Sequence, residues 1–334
     1  MAKFSIILPV RNGGEYLKEC VNSILSQTLQ DFNLLILENF STDGGPEWIK
    51  SLNDQRIKII EADRSLSIEE NWARITRVEK NEFITLIGHD DLLDSNYLEV
   101  MDALIREHPQ ASLYQTHFRL IDDKGKVIRS CQSMEEKQFD HDFLRSVLQN
   151  KFDLFGTGFM MRSSDYDSVG GIPDYPNLLF ADFELWMEIT KKAYKVTSPK
   201  ECFSYRIHQS TTKISSDLKL QAAFKRFIAY LQFLIQKDPK IDSVVKQYFI
   251  SFLLAYTKSL SHRLIRSNLE ARKGLSIPKF LEETRQYAEQ LVPGIPFQPE
   301  KEPSIKLASF IDSNIFTGSL FRLWKKIYSK PILK

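Results

Sequence analysis

A chain of 334 residues with 43% apolar and 26% charged side chains has the balance of a globular protein with room for two domains, which excludes collagen-like, disordered and membrane-embedded classes. Its formal charge of +2 hides an asymmetry: residues 1–214 hold 25 basic against 33 acidic side chains, and the rest hold 20 against 10. Cys20, Cys131 and Cys202 are odd in number and widely spaced, so neither a disulfide framework nor a cysteine zinc site is expected, and a cytoplasmic home follows.

The run Phe4 to Val10 is short, carries Pro9 and leads into Arg11-Asn12-Gly13-Gly14, so it reads as a buried strand and turn rather than a signal peptide. Strands are expected at Phe4 to Pro9, Asn33 to Glu38, Ile57 to Ile60 and Phe83 to Ile87. They alternate with helices near 14–27, 45–53, 67–78 and 95–107, the rhythm of βαβ units and a parallel sheet. Ligands of such sheets sit beyond the carboxyl ends of the strands, where this chain places Arg11-Asn12, Glu38-Asn39, Asp63-Arg64 and His89-Asp90-Asp91. From 111 to 214 the pattern turns mixed, with strands at 112–121 and 126–130 joined by Asp122-Asp123-Lys124-Gly125, an extended Gly156 to Arg162, a helix near 181–193 and a strand near 195–206. Beyond Ser215 long helical segments predominate, interrupted by Pro293, Pro296, Pro299 and Pro303. A boundary near 214 separates domains 1–214 and 215–334, and no apolar stretch reaches the ~18 residues of a spanning helix.

The pair Asp90-Asp91 at an abrupt strand end gathers hard oxygen donors suited to Mg²⁺ or Mn²⁺ shared with a diphosphate; it also suits plain support of a turn, with Asp94 capping the next helix. Gly156-Thr157-Gly158 lacks the Gly-Lys-Ser/Thr ending of a phosphate loop. Gly158 is instead placed where an acceptor or donor sugar approaches the backbone closely. Trp186 and Phe159 are either sugar-stacking rings or core.

Read in order, Ser5 to Asn12, Leu17 to Thr28, Glu38 to Gly44, His89-Asp90-Asp91, Gly156 to Arg162, Val169 to Ile172, Asp182 to Trp186 and Tyr205-Arg206-Ile207-His208 resemble the family 2 glycosyltransferases of GT-A fold, over about residues 3–213. The resemblance implies an α/β fold, a Rossmann-like mixed sheet flanked by helices, here with a helical C-terminal extension. It implies that Pro9, Val10, Arg11, Asn12, Glu38 and Asn39 hold the nucleotide, that Asp90 meets ribose or donor sugar, and that Asp91 with His208 holds the metal. It also places Arg206 at the acceptor or donor sugar. Asp182 matches the Asp of the family's Glu-Asp motif and becomes the general base of an inverting transfer, its other reading being a cap of the 183–193 helix. Three positions depart from the pattern: Gly88 replaces the first acid of the metal motif, Asn39 the base-contacting Asp, and Ala181 the Glu before Asp182.

Residues 318–334 place Leu320, Leu323, Trp324, Ile327 and Tyr328 on one stripe with Arg322, Lys325, Lys326 and Lys330 interleaved. This pattern suits either an anionic membrane surface or docking onto residues 220–262. Nucleic-acid binding is not expected, since no motif accompanies the charge and the front part is acidic. The expected activity is transfer from a nucleotide-diphosphate sugar, a UDP-sugar, to a glycan or lipid-linked acceptor in surface-polysaccharide synthesis, in the cytoplasm or at the inner face of the membrane. The alternatives are a non-catalytic nucleotide- or sugar-binding protein on the same fold and a sugar nucleotidyltransferase, whose Gly-rich basic loop Arg11-Asn12-Gly13-Gly14 lacks.

Overall fold

The computed structural model describes residues 2–207, 216–267, 272 and 274–327. The chain divides into two compact units, Met1–Val147 with Lys151–Ile214, and Leu148–Asn150 with Ser215–Lys334.

The first unit is built on one sheet. Its strands are β1 Phe4–Val10, β2 Phe32–Glu38, β3 Ile57–Glu61, β4 Phe83–Leu86, β5 Leu92–Leu93, β6 Leu113–Ile121, β7 Val127–Ser130, β8 Lys137–Gln138, β9 Phe159–Arg162 and β10 Lys195–Arg206. They run in the order β3-β2-β1-β4-β9-β6-β10-β5, with β7 on β6 and β8 on β10. Strands β3, β2, β1 and β4 are parallel, and β1, β2 and β4 are almost wholly buried, as strands covered on both faces must be. Helices α1 Gly14–Leu25, α2 Gly45–Ser51, α3 Ile68–Ala73 and α4 Tyr97–Glu107 complete the expected alternation. The helix expected over 67–78 is shorter: the capping box of Ser67 and Glu70 starts it, and residues 74–77 tighten into a 3₁₀ turn.

Two antiparallel pairings decide where the site lies. Strand β9 runs against β4, so its first residues sit beside the carboxyl end of β4, where the Gly158 amide donates to Leu86 O at 3.0 Å. Strand β10 runs parallel to β6 and against β5, which brings residues 205–206 back to the same edge of the sheet. The two-residue strands β5 and β8, and the helices α5 Asp140–Leu148 and α6 Ser163–Ser168, were not expected. Helix α7 Ala181–Lys191 follows a stretch in which Asn177, Leu178 and Phe180 all have positive φ.

The second unit is helical: α8 Asp217–Ile235, α9 Pro239–Leu264, α10 Ile277–Leu291, α11 Pro303–Ser313 and α12 Ile315–Ile327. Leu231, Phe249, Leu253 and Phe280 are buried in it, and Phe224 stacks on Tyr256 with ring centroids 3.5 Å apart. Arg272 and Asp312 form a buried ion pair, and Asp312 also accepts from the Ile277 amide at 3.0 Å. Among the described residues no helix is long and apolar enough to cross a membrane.

Candidate active site

The loops after β1 and β2 are stitched together by short polar side chains. Asn12, at φ +50, receives a hydrogen bond from the Thr42 amide at 2.8 Å, and its own amide donates to Ser41 Oγ at 3.0 Å. The Glu38 carboxylate accepts from the amides of Phe40 and Ser41 at 3.1 and 2.6 Å. Asp43 accepts from the Gly14 and Gly45 amides at 2.7 and 3.1 Å, the turn and helix-start role of this residue type. Pro9 and Val10 are buried, leaving Arg11 and Asn12 exposed at the rim.

Asn39 is committed to the fold. Its amide donates to Leu66 O at 3.0 Å and accepts from Leu66 N at 2.8 Å, and Arg11 Nη1 reaches the same carbonyl at 3.1 Å. An amide donates and accepts at once, which an ionised Asp cannot, so the Asn at this position has a structural cause. The side chain is buried and fully engaged, which does not leave its hydrogen-bonding edge open to a nucleobase.

At the end of β4, Asp91 is 1% exposed; its oxygens accept from Thr157 Oγ1 at 2.7 Å and from the Arg206 amide at 3.1 Å. Burial, and then the charge of Asp90, lift its carboxyl well above the usual range. A Cβ on residue 88 would stand 2.6 Å from Asp90 Oδ1 and 3.2 Å from Asp91 Oδ2, so the glycine makes room for both carboxylates. No group of three metal-ligating side chains occurs among the described residues, and His208 lies outside them.

Asp182 opens α7, and its Oδ1 accepts from the Phe183 amide at 2.9 Å. Although part of the residue reaches solvent, desolvation raises its carboxyl to about 6, against the pull of that hydrogen bond. Gly156 lies against it: a Cβ there would be 3.7 Å from Asp182 Cβ. Adjacent residues 156 and 157 thus touch Asp182 and Asp91 respectively. Tyr205, stacked on Phe155 with ring centroids 3.8 Å apart, has its phenol raised by burial and then by the charges of Asp91, Asp90 and Asp182. All three carboxylates thus act on that phenol. Tyr205, Thr157 and Glu19 were given no role by the sequence, although each lies in a segment that carries the resemblance: Tyr205 to His208, Gly156 to Arg162 and Leu17 to Thr28.

Three expected sugar contacts are corrected. Trp186 is fully buried, stacked on Phe159 with centroids 4.4 Å apart and donating from Nε1 to Phe155 O at 2.9 Å, so it belongs to the core. Gly158 has φ +77, and a Cβ would meet the Phe203 ring at 2.7 Å; packing and backbone require the glycine, not a sugar. The Arg206 side chain is enclosed: Nε donates to Asp90 O at 2.8 Å, Nη2 pairs with Glu19, and the guanidinium lies 4.5 Å from the Tyr16 ring. It ties α1 to the acidic loop and cannot reach a sugar.

A parallel half-sheet carrying an acidic pair at the end of its last strand, continued by a mixed half, defines a GT-A fold. Staphylococcus aureus TarS 1–349, solved in complex with UDP-GlcNAc, matches it with a TM-score of 0.67 at 14% identity, over 99% of this chain and 93% of that one. Residues 5–170 match the family described as glycosyl transferase family 2, and the chain belongs to it through that domain. The glycosyltransferase GlyG of Streptococcus pneumoniae is 29% identical over 105 residues, 31% of this chain, and the chain spans only 35% of GlyG's length. TuaG of Bacillus subtilis, assigned to teichuronic acid biosynthesis, is 22% identical over 232 residues, 68% of this chain and 86% of TuaG.

Proposed function

We propose that this chain is an inverting glycosyltransferase that moves a sugar from a nucleotide-diphosphate donor, a UDP-sugar, to a hydroxyl of a glycan or lipid-linked acceptor in bacterial surface-polysaccharide synthesis, at the cytoplasmic side of the membrane. The observation that carries this reading is a single desolvated carboxylate, Asp182, joined through the Gly156-Thr157 dipeptide to the buried Asp91 of the acidic pair. An inverting transfer needs one base, in contrast to the two flanking carboxyls of a glycosidase. With its carboxyl at about 6, Asp182 is ionised at neutral pH yet more basic than a free aspartate, so it accepts the acceptor hydroxyl proton as that oxygen attacks the anomeric carbon. The TarS complex with UDP-GlcNAc supports a UDP-sugar, and TuaG supports a polysaccharide product.

The donor set fits Mg²⁺ or Mn²⁺. Burial and the neighbouring charge of Asp90 raise the Asp91 pKa, a penalty a cation relieves, and Mg²⁺ needs only one or two protein carboxylates when a diphosphate supplies the rest. Asp91, its orientation set by Thr157 and the Arg206 amide, would hold the ion with His208, while Asp90 meets the ribose or donor sugar. When bound, the ion offsets the charge of the departing diphosphate. Arg11, Asn12 and Glu38 shape the nucleotide rim, with Pro9 and Val10 as its buried floor and Asn39 fixing the loop of Leu66.

Asp182→Asn should lower turnover by ~10² or more while leaving UDP affinity unchanged. Wild-type kcat should rise with pH and level off above about 6. Equal turnover in mutant and wild type would remove Asp182 as the base. A wild type that binds UDP but transfers nothing from a panel of nucleotide sugars with Mg²⁺ or Mn²⁺ would be a non-catalytic binding protein.

A further inference from the structure

Helix α12 carries an exposed apolar face. Phe316, Leu320, Leu323, Trp324 and Ile327 range from 48% exposed at Trp324 to 84% at Phe316. At 3.6 residues per turn these five positions fall within an arc of about 100°. The opposite side of the helix is the packed one. Gly318 is buried there, where a Cβ would meet Arg322 Nη1 at 3.2 Å and Ile311 O at 3.4 Å, and at the edge of the stripe Thr317 Oγ1 donates to the same carbonyl at 3.0 Å. The helix is therefore already seated on the end of α11, and the stripe is not the face that seats it. On α11, Leu307 and Phe310 are exposed as well.

We infer that this face is a contact surface for anionic lipid, entered by the α12 stripe and held by the cations of the same C-terminal segment. Charge argues for that occupant. Residues 313–334 contain no acidic side chain and five cations, Arg322, Lys325, Lys326, Lys330 and Lys334, and the Lys325 ammonium lies 5.4 Å from the centre of the Trp324 ring. A second copy meeting the same face would bring two sets of cations together with no carboxylate on either helix to offset them, while a layer of anionic headgroups offsets that charge. A tryptophan among aliphatic side chains, flanked by lysine and arginine, is the composition of a helix lying in the plane of a lipid interface. The surface is separate from the transfer site, so this inference stands or falls independently of the proposed activity.

The full-length chain is sedimented with phosphatidylcholine vesicles and with vesicles of phosphatidylcholine and phosphatidylglycerol. Binding is expected to the second and not the first, and to weaken as salt rises. Leu320→Ser with Leu323→Ser and Trp324→Ser should reduce that binding by ~10-fold or more, because these side chains supply the inserted apolar area. The melting temperature and the UDP affinity without lipid should stay unchanged, since the three side chains are exposed. Lys325→Glu with Lys326→Glu should also abolish binding while keeping the apolar stripe. No wild-type binding, or equal binding by either variant, overturns the inference. So does a wild-type dimer that the triple serine variant converts to monomer without any lipid effect.

Discussion

Asn39 and Asp182 differ in how a residue's identity is explained. Asn39 is legible in the sequence only as a departure from a family pattern, and its cause lies 27 residues away, in the two-way pairing with the backbone of Leu66. Asn39→Asp should cost about 1–3 kcal/mol, because a carboxylate cannot donate to the Leu66 carbonyl and is left facing it; urea unfolding measures this, and an unchanged midpoint would remove the pairing as the reason for the amide. Asp182 runs the other way, since its position costs stability. Its folded pKa of about 6 exceeds that of a free aspartate, so the folded state binds more protons between roughly pH 4 and 6, and stability falls as pH rises through that window. Asp182→Asn removes the penalty. Scaled down for its partial exposure, the gain should be about 1–2 kcal/mol at pH 7 and vanish near pH 4, as thermal melts across pH would show. A gain constant with pH would mean that desolvation of the charge is not its source.

Among the elements, those with local causes were legible. β1, β2 and β4 are buried on both faces and therefore appear as unbroken apolar runs, and α3 announces itself through Ser67 and Glu70. β5 and β8 are two residues each and exist only because β10 passes beside them, which no local pattern reports. The same holds for the pieces that join the site. The start of β9 reaches the acidic loop because β9 pairs antiparallel to β4, and its hydroxyl donor, Thr157, lies 66 residues from Asp91. Thr157→Val should leave that buried carboxylate short of a donor, destabilising the fold by about 1–3 kcal/mol and raising the Asp91 pKa further, while Thr157→Ser restores both. Denaturant melts of the three proteins across pH check the pair of effects: the valine variant should recover part of its loss as pH falls and Asp91 takes up a proton. A serine variant as unstable as the valine would assign the effect to packing of the methyl group.

For the whole molecule, alternation of apolar runs and amphipathic segments was enough to foresee the α/β half and its mixed continuation, and the change of texture near 215 foresaw helices. It could not foresee which aromatic and cationic side chains the sheet would enclose. Trp186 and Arg206 look like ligand contacts in a one-dimensional reading because their types are those that bind sugars, and only the path of β10 and the seating of α7 put them inside. The two units have separate cores, one on the sheet and one among α8 to α11, which bears on how a ligand stabilises the chain. A nucleotide held by the loops of β1, β2 and β4 stabilises the first core directly. At a hundredfold excess over its Kd it adds about 2.7 kcal/mol, which for a unit of this size raises the melting temperature by roughly 5–10 °C. Scanning calorimetry with UDP and Mn²⁺ should move the transition of the first unit by that amount and leave that of the second in place, whereas inorganic phosphate at the same concentration should move neither. No shift with any nucleoside diphosphate would refute donor binding at this edge of the sheet. A single transition displaced as a whole would show instead that the two cores unfold as one.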